Sequence, residues 1–161
     1  MDSLTFTSDC FMYCTNATAS TTPGTIYDIL PATAFDERRL YGIGILSSDN
    51  AAQTVKIYIT YELRLYTQNS YIAIDYPYLA GSVNIPAGSG TNGTTAAVDV
   101  FASTMLESLF QKTRDANGLA YFNLPSGVDN RWKLQMSFSG SLTSPETITT
   151  HVFGEKYTNI G

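Results

Sequence analysis

Apolar and polar residues alternate without a break from Thr54 to Tyr66. Val55, Ile57, Ile59, Tyr61, Leu63 and Leu65 take the odd positions, and Thr54, Lys56, Tyr58, Thr60, Glu62, Arg64 and Tyr66 the even ones. Side chains of a strand point alternately to the two faces of its sheet, so the pattern predicts a strand with one buried and one wet wall. On a helix the same apolar residues would be scattered around the circumference. Sheets with a solvated face are antiparallel, which sets the expected class as all-β. The thirteen residues of 54–66, fully extended, span ~43 Å, more than twice a typical strand. Such a strand either bends midway to serve two sheets or projects beyond the body as one arm of a hairpin. In the second case residues 55–59 are core, and Leu63 and Leu65 need a neighbour to cover them.

Further strands are expected at 25–30, stopped by Pro31, and at 39–47, joined to the long strand by the polar turn Ser47-Ser48-Asp49-Asn50-Ala51. Gly42 and Gly44 share a face of the 39–47 strand, which signals a close packing partner or a bulge. Residues 71–76 form the next strand, ended by Pro77, and 82–85 a short one. Pro86 to Thr95 is a glycine-rich loop, mobile or functional. One short helix is expected near 103–112, with Thr104 and Glu107 as a capping box and Met105, Leu106, Leu109 and Phe110 as its apolar stripe. Alternation returns at 132–138, where Trp132, Leu134, Met136 and Phe138 share a face, and at 147–157. Eight or nine strands at this spacing predict an antiparallel sandwich or jelly-roll-like barrel. Residues 1–24 read as an extended N-terminal arm, with Leu4, Phe6 and Phe11 able to pair briefly as an edge strand, and 25–161 as the single β-sandwich domain.

Composition changes the picture in one respect. Only 14% of residues are charged, against a usual ~25%, and Ser, Thr and Asn fill the gap. Charge depletion marks interface cores, although many extracellular and viral β-proteins have the same composition. The net charge of −5 and the dispersed Lys and Arg argue against nucleic acid, which demands a basic cluster. The start Met1-Asp2-Ser3 lacks the basic region of a signal peptide, and no segment approaches the ~20 apolar residues of a membrane span. The expectation is a soluble chain made in a cytoplasm.

Candidate chemistry is sparse. Cys10 and Cys14 are the only cysteines; on an extended strand they lie ~13 Å apart, beyond disulfide reach, so free thiols or a turn-closed bridge remain open. With His151 they make no zinc set. His151 is the only histidine and reads as a satisfied structural residue, since a lone member makes no triad. Asp36-Glu37 is the only adjacent carboxylate pair; it is expected in a loop, with the two side chains pointing apart and Arg38-Arg39 following to neutralise them. No cofactor, metal or catalytic set is expected. The enrichment that could bind something is aromatic. Tyr58 and Tyr66, on the wet face of the long strand, and Tyr71 suit a protein interface, cross-strand pairing or a sugar ring.

Ile29-Leu30-Pro31, then Arg39-Leu40-Tyr41-Gly42-Ile43-Gly44-Ile45-Leu46, a polar turn, Thr54-Val55-Lys56-Ile57-Tyr58-Ile59, and later Val83-Asn84-Ile85-Pro86-Ala87-Gly88 form a recognisable order. It resembles small jelly-roll or β-barrel virion structural proteins of tailed bacteriophages and related viruses, including capsid decoration (cement) proteins. The resemblance implies a non-enzymatic homo-oligomer, most simply a trimer, that sits on the capsid surface and bridges capsomers of the major capsid protein. Its interface would draw on Leu4, Phe6, Phe11, Tyr58, Leu63, Leu65, Tyr66 and Tyr71. A single jelly-roll coat protein is the nearest variant, and a carbohydrate-binding module, lectin-like or receptor-binding, is the reading from a different class. An enzyme ranks third.

Overall fold

The computed structural model describes residues 6–33, 36–100, 113–114, 120–125 and 130–159. Their strands are β1 (Phe6–Ala17), β2 (Tyr27–Leu30), β3 (Asp36–Ser47), β4 (Gln53–Tyr66), β5 (Tyr71–Ile85), β6 (Val98–Asp99), β7 (Thr113–Arg114), β8 (Ala120–Leu124), β9 (Asn130–Phe138) and β10 (Ile148–Asn159). Eight have four residues or more, as expected, and β6 and β7 are two-residue additions. One sheet runs β1-β10-β3-β8-β7 with β6 beside β3, and the other runs β2-β9-β4-β5. All pairings are antiparallel. The two sheets pack as a sandwich, not a closed barrel. The helix expected near 103–112 lies outside the described residues.

The core forms where the inward positions of both sheets meet. Leu40, Ile43, Ile45, Ile148 and Val152 come from one sheet; Ile29, Val55, Ile57, Ile59, Leu134, Met136 and Phe138 come from the other. Arg38 crosses the interior to tie the sheets together. Its Nη1 donates to the Pro31 carbonyl at 2.6 Å and its Nη2 to the Trp132 carbonyl at 2.9 Å. The neighbouring Arg39 stacks on the rings of Tyr121 and Tyr157 instead.

Three local expectations are corrected. β3 begins at Asp36, so the Asp36-Glu37 pair belongs to a strand and not a loop. Within the segment expected to be an arm, β1 pairs with β10 along its whole length, not briefly. The strand expected to stop at Pro77 runs on through it to Ile85. Thr67 N–H donates to the Ser70 carbonyl across the hairpin turn, and hydrogen-bonded pairs recur at every second residue from there. Pro77 therefore turns its missing N–H to the open edge of the sheet, where proline is tolerated.

The two explanations hold at Gly42 and not at Gly44. The Phe153 ring lies where a side chain at position 42 would be, whereas nothing stands within 4 Å of one at position 44, and the β3–β10 ladder is bulged between Phe153 and Gly154, beside Gly42. The glycine-rich loop is tied down by its own bonds: Ser47 N–H donates to Ser89 O, Gly88 N–H to Asp49 O, and Thr91 Oγ1 to Ser47 O.

Candidate interaction surface

β4 and β5 form a hairpin that outruns the opposite sheet. Inward-facing residues record this as a gradient of burial. Val55, Ile57 and Ile59 are buried, Tyr61 and Leu63 are half-buried, and Leu65 is 47% exposed. On β5, Tyr76, Ile74 and Ile72 stand directly opposite Tyr61, Leu63 and Leu65, and Ile72 is 56% exposed. The core face thus continues outward as a ladder of three apolar rungs. Its base is aromatic: the Tyr61 ring lies 5.3 Å from Trp132 and 6.3 Å from Tyr76. At the tip Tyr66 and Tyr71 pair at 6.1 Å, with the Arg64 guanidinium 4.3 Å over Tyr71. Tyr78 and Leu79 on β5 are exposed as well.

The other face of the same sheet is less wet than its sequence predicts. Thr60 is fully buried and Glu62 is 6% exposed. Their partners come from strands distant in sequence. Thr60 Oγ1 donates to Gln135 Oε1 at 2.6 Å, and Gln135 Nε2 donates to Asp28 at 2.8 Å. The Lys133 ammonium sits among three carboxylates, 2.8 Å from Asp75, 3.3 Å from Asp28 and 3.4 Å from Glu62. Glu62 also accepts from Arg64 Nε at 2.6 Å. Burial pulls the Lys133 pKa down, but the hydrogen bond it donates to Asp75 and the charges of Asp28 and Asp75 outweigh it and hold Lys133 above the ordinary lysine value. A lysine kept protonated in this way is a structural cation, not a nucleophile.

The interface candidates fall in different places. Leu63 and Leu65 lie on the core-side face of the hairpin, and Tyr66 and Tyr71 pair on its other face. Tyr58 is half-buried, its hydroxyl 3.5 Å from Ser137 Oγ. Phe11 packs against the core on the far sheet. Phe6 lies in β1, and Leu4 is outside the described residues. Ile72, Tyr76, Tyr78 and Leu79 are exposed as well; Tyr76 and Tyr78 belong to the tyrosine enrichment visible in the sequence, but none of the four was among the interface candidates, and Leu79 lies beyond the Pro77 at which the strand was expected to stop.

Among the described residues little else is arranged for chemistry. Cys10 and Cys14 are free, exposed thiols. His151 stands opposite Cys14 on one side and Gly44 on the other; contrary to the satisfied histidine expected, its Nδ1 is buried with no hydrogen-bond partner. An open depression of about 270 Å³ over Gly42 and Gly44, rimmed by Tyr41, Asp99 and Phe153, gathers no set of polar groups. Among the described residues no three His, Cys, Asp or Glu side chains converge to hold a metal. No protein-family model and no curated protein matches the chain.

Proposed function

We propose that the chain is a structural, assembly-forming protein of a virion shell, a capsid decoration protein in kind, that grips its neighbours through the β4–β5 hairpin. The observation that carries this reading is the three-rung ladder of Tyr61, Leu63 and Leu65 against Tyr76, Ile74 and Ile72, which extends the core face past the sandwich. Fully burying a Leu or Ile side chain contributes about 1.5–3 kcal/mol, so two half-exposed rungs at the tip leave that gain open to a partner. An exposed apolar patch of this kind on a charge-poor surface marks a protein contact. The resemblance of the sequence to virion proteins supplies the setting, and the partners it implies are further copies of the chain, three most simply, and the major capsid protein. The work proposed is mechanical, with no reaction catalysed.

Sedimentation of the isolated protein tests the self-contact. The expected result is an oligomer larger than a dimer for the natural sequence and a smaller species, no larger than a dimer, for the double variant Leu65→Asp/Ile72→Asp, with the strand signature in circular dichroism unchanged. An oligomer of undiminished size after both substitutions removes the hairpin from the contact.

A further inference from the structure

We propose that β1 pairs edge to edge with β1 of a second copy, antiparallel, about a two-fold axis through Met12. β1 ends its sheet: β10 covers one side, and among the described residues no strand covers the other. The direction of its backbone groups follows from the neighbouring ladder. Ser48 N–H donates to the Thr147 carbonyl at 3.0 Å, and bonded pairs recur at every second residue of an antiparallel pair. Thr150 and Val152 therefore turn toward β1, where they meet Thr15 and Tyr13. Cys10, Met12, Cys14 and Asn16 are left with their N–H and C=O groups on the open edge.

That edge is lightly guarded. Natural edge strands are blunted by charge, above all Lys, by Pro or by a bulge. Phe6–Ala17 has a single charge, Asp9, and no Lys, Arg or Pro, and its ladder with β10 has no register shift. Met12 is 68% exposed at its centre.

The strand is also chemically self-complementary. Outward from Met12 stand Phe11 and Tyr13, then Cys10 and Cys14, then Asp9 and Thr15, then Ser8 and Asn16. An antiparallel pair about Met12 sets aromatic against aromatic, thiol against thiol and polar against polar. Asp9 meets Thr15, so no like charges face each other. A two-fold contact needs such a patch, because one surface must fit itself. The contact is on the sheet opposite the hairpin and does not depend on the hairpin's role.

The thiols report the register. Directly opposite residues of a bonded pair have Cα atoms about 5.5 Å apart, within disulfide range. Diamide oxidises two facing thiols to one disulfide and takes up the two protons and two electrons released. The natural protein is expected to give a covalent dimer on non-reducing gels, linked Cys10 to Cys14 in peptide mass spectra. Cys10→Ser and Cys14→Ser each set a thiol against a serine and should not cross-link alone, whereas their equimolar mixture should. Met12→Lys places two ammonium groups at the axis and should weaken dimerisation about tenfold or more, with the melting temperature unchanged at concentrations low enough for both proteins to be monomeric. Single variants that cross-link as readily as the mixture would overturn the register. A natural protein that stays uncross-linked at its highest soluble concentration would overturn the pairing and leave the edge to a strand of another protein.

Discussion

Replacing Lys133 by Met keeps most of the side chain's apolar stem and removes its charge, so the effect read is electrostatic and not a cavity. Three carboxylates then face one another across the outer side of the β2-β9-β4-β5 sheet. Removing one partner of a fully buried ion pair costs about 3–5 kcal/mol. Two features lower that figure here. Asp28 and Asp75 are open to water, so their pairs count as surface pairs of about 0–1 kcal/mol each. Glu62, which is buried, retains Arg64 at 2.6 Å. The expected loss is therefore about 2–3 kcal/mol, or about 4–12 °C in Tm for a chain of this size. Urea unfolding at pH 7 measures it directly. Repeating the measurement in about 1 M salt, where the Debye length falls to about 3 Å, should narrow the gap between the variant and the natural protein, because the charges left facing one another are then screened. A loss below about 0.5 kcal/mol at low salt, or an equal loss at both salt concentrations, would refute the cluster's role.

Two further outcomes follow from buried groups. Burial pushes the Tyr27 phenol well above the ordinary tyrosine value, and Lys133 is also raised. Both pKa values are higher folded than unfolded, so both contributions are intact below pH ~10 and are lost as pH rises through the folded values. Thermal melts should fall steeply above pH ~10, and Tyr27→Phe, which also deletes a buried hydroxyl with no partner, should flatten that fall; an identical alkaline slope in the variant would count against it. Arg38→Met removes two charge-assisted bonds between the sheets, each worth about 1.5–3 kcal/mol. A loss of about 3 kcal/mol or more in urea unfolding is expected, and one below about 1 kcal/mol would show that the crossing side chain does not tie the sandwich.

What the sequence disclosed was local in origin. Alternation in β4 and in β9 names their inward faces, since strand periodicity needs no knowledge of neighbours. Length left two choices, a bend that serves two sheets or a projecting hairpin arm, and β4 staying in one sheet with a gradient from buried Ile59 to exposed Leu65 favours the second. The burial of Thr60 and Glu62 was not legible, because it depends on Gln135, Lys133, Asp28 and Asp75 arriving from three other strands in one register. Pro77 misled for a related reason. A proline breaks a central strand but not an edge strand, and which strand is the edge is a property of the whole sheet. Phe6–Ala17 carries no clean alternation; its place comes from the continuous ladder that β10 offers.

The long edge strands β5 and β1 are built for opposite ends. β5 carries Pro77, and its ladder with β4 shifts register between Ile57 and Tyr58. Both are devices that discourage a further strand from adding there. The hairpin therefore presents a side-chain face, suited to a partner that packs upon it. β1 is unbroken and carries no Pro, Lys or bulge, suited to a partner that joins its backbone ladder. A face contact between unlike surfaces and a two-fold contact between like edges have different symmetry. When one chain holds both, each new copy offers a contact that the previous one leaves unsatisfied, and assembly continues as a layer instead of closing as a pair. A variant that loses only the hairpin contact should then stop at dimers, and one that loses only the β1 contact should stop at the hairpin oligomer. Loss of both contacts together in either variant would mean that the two surfaces serve a single interface.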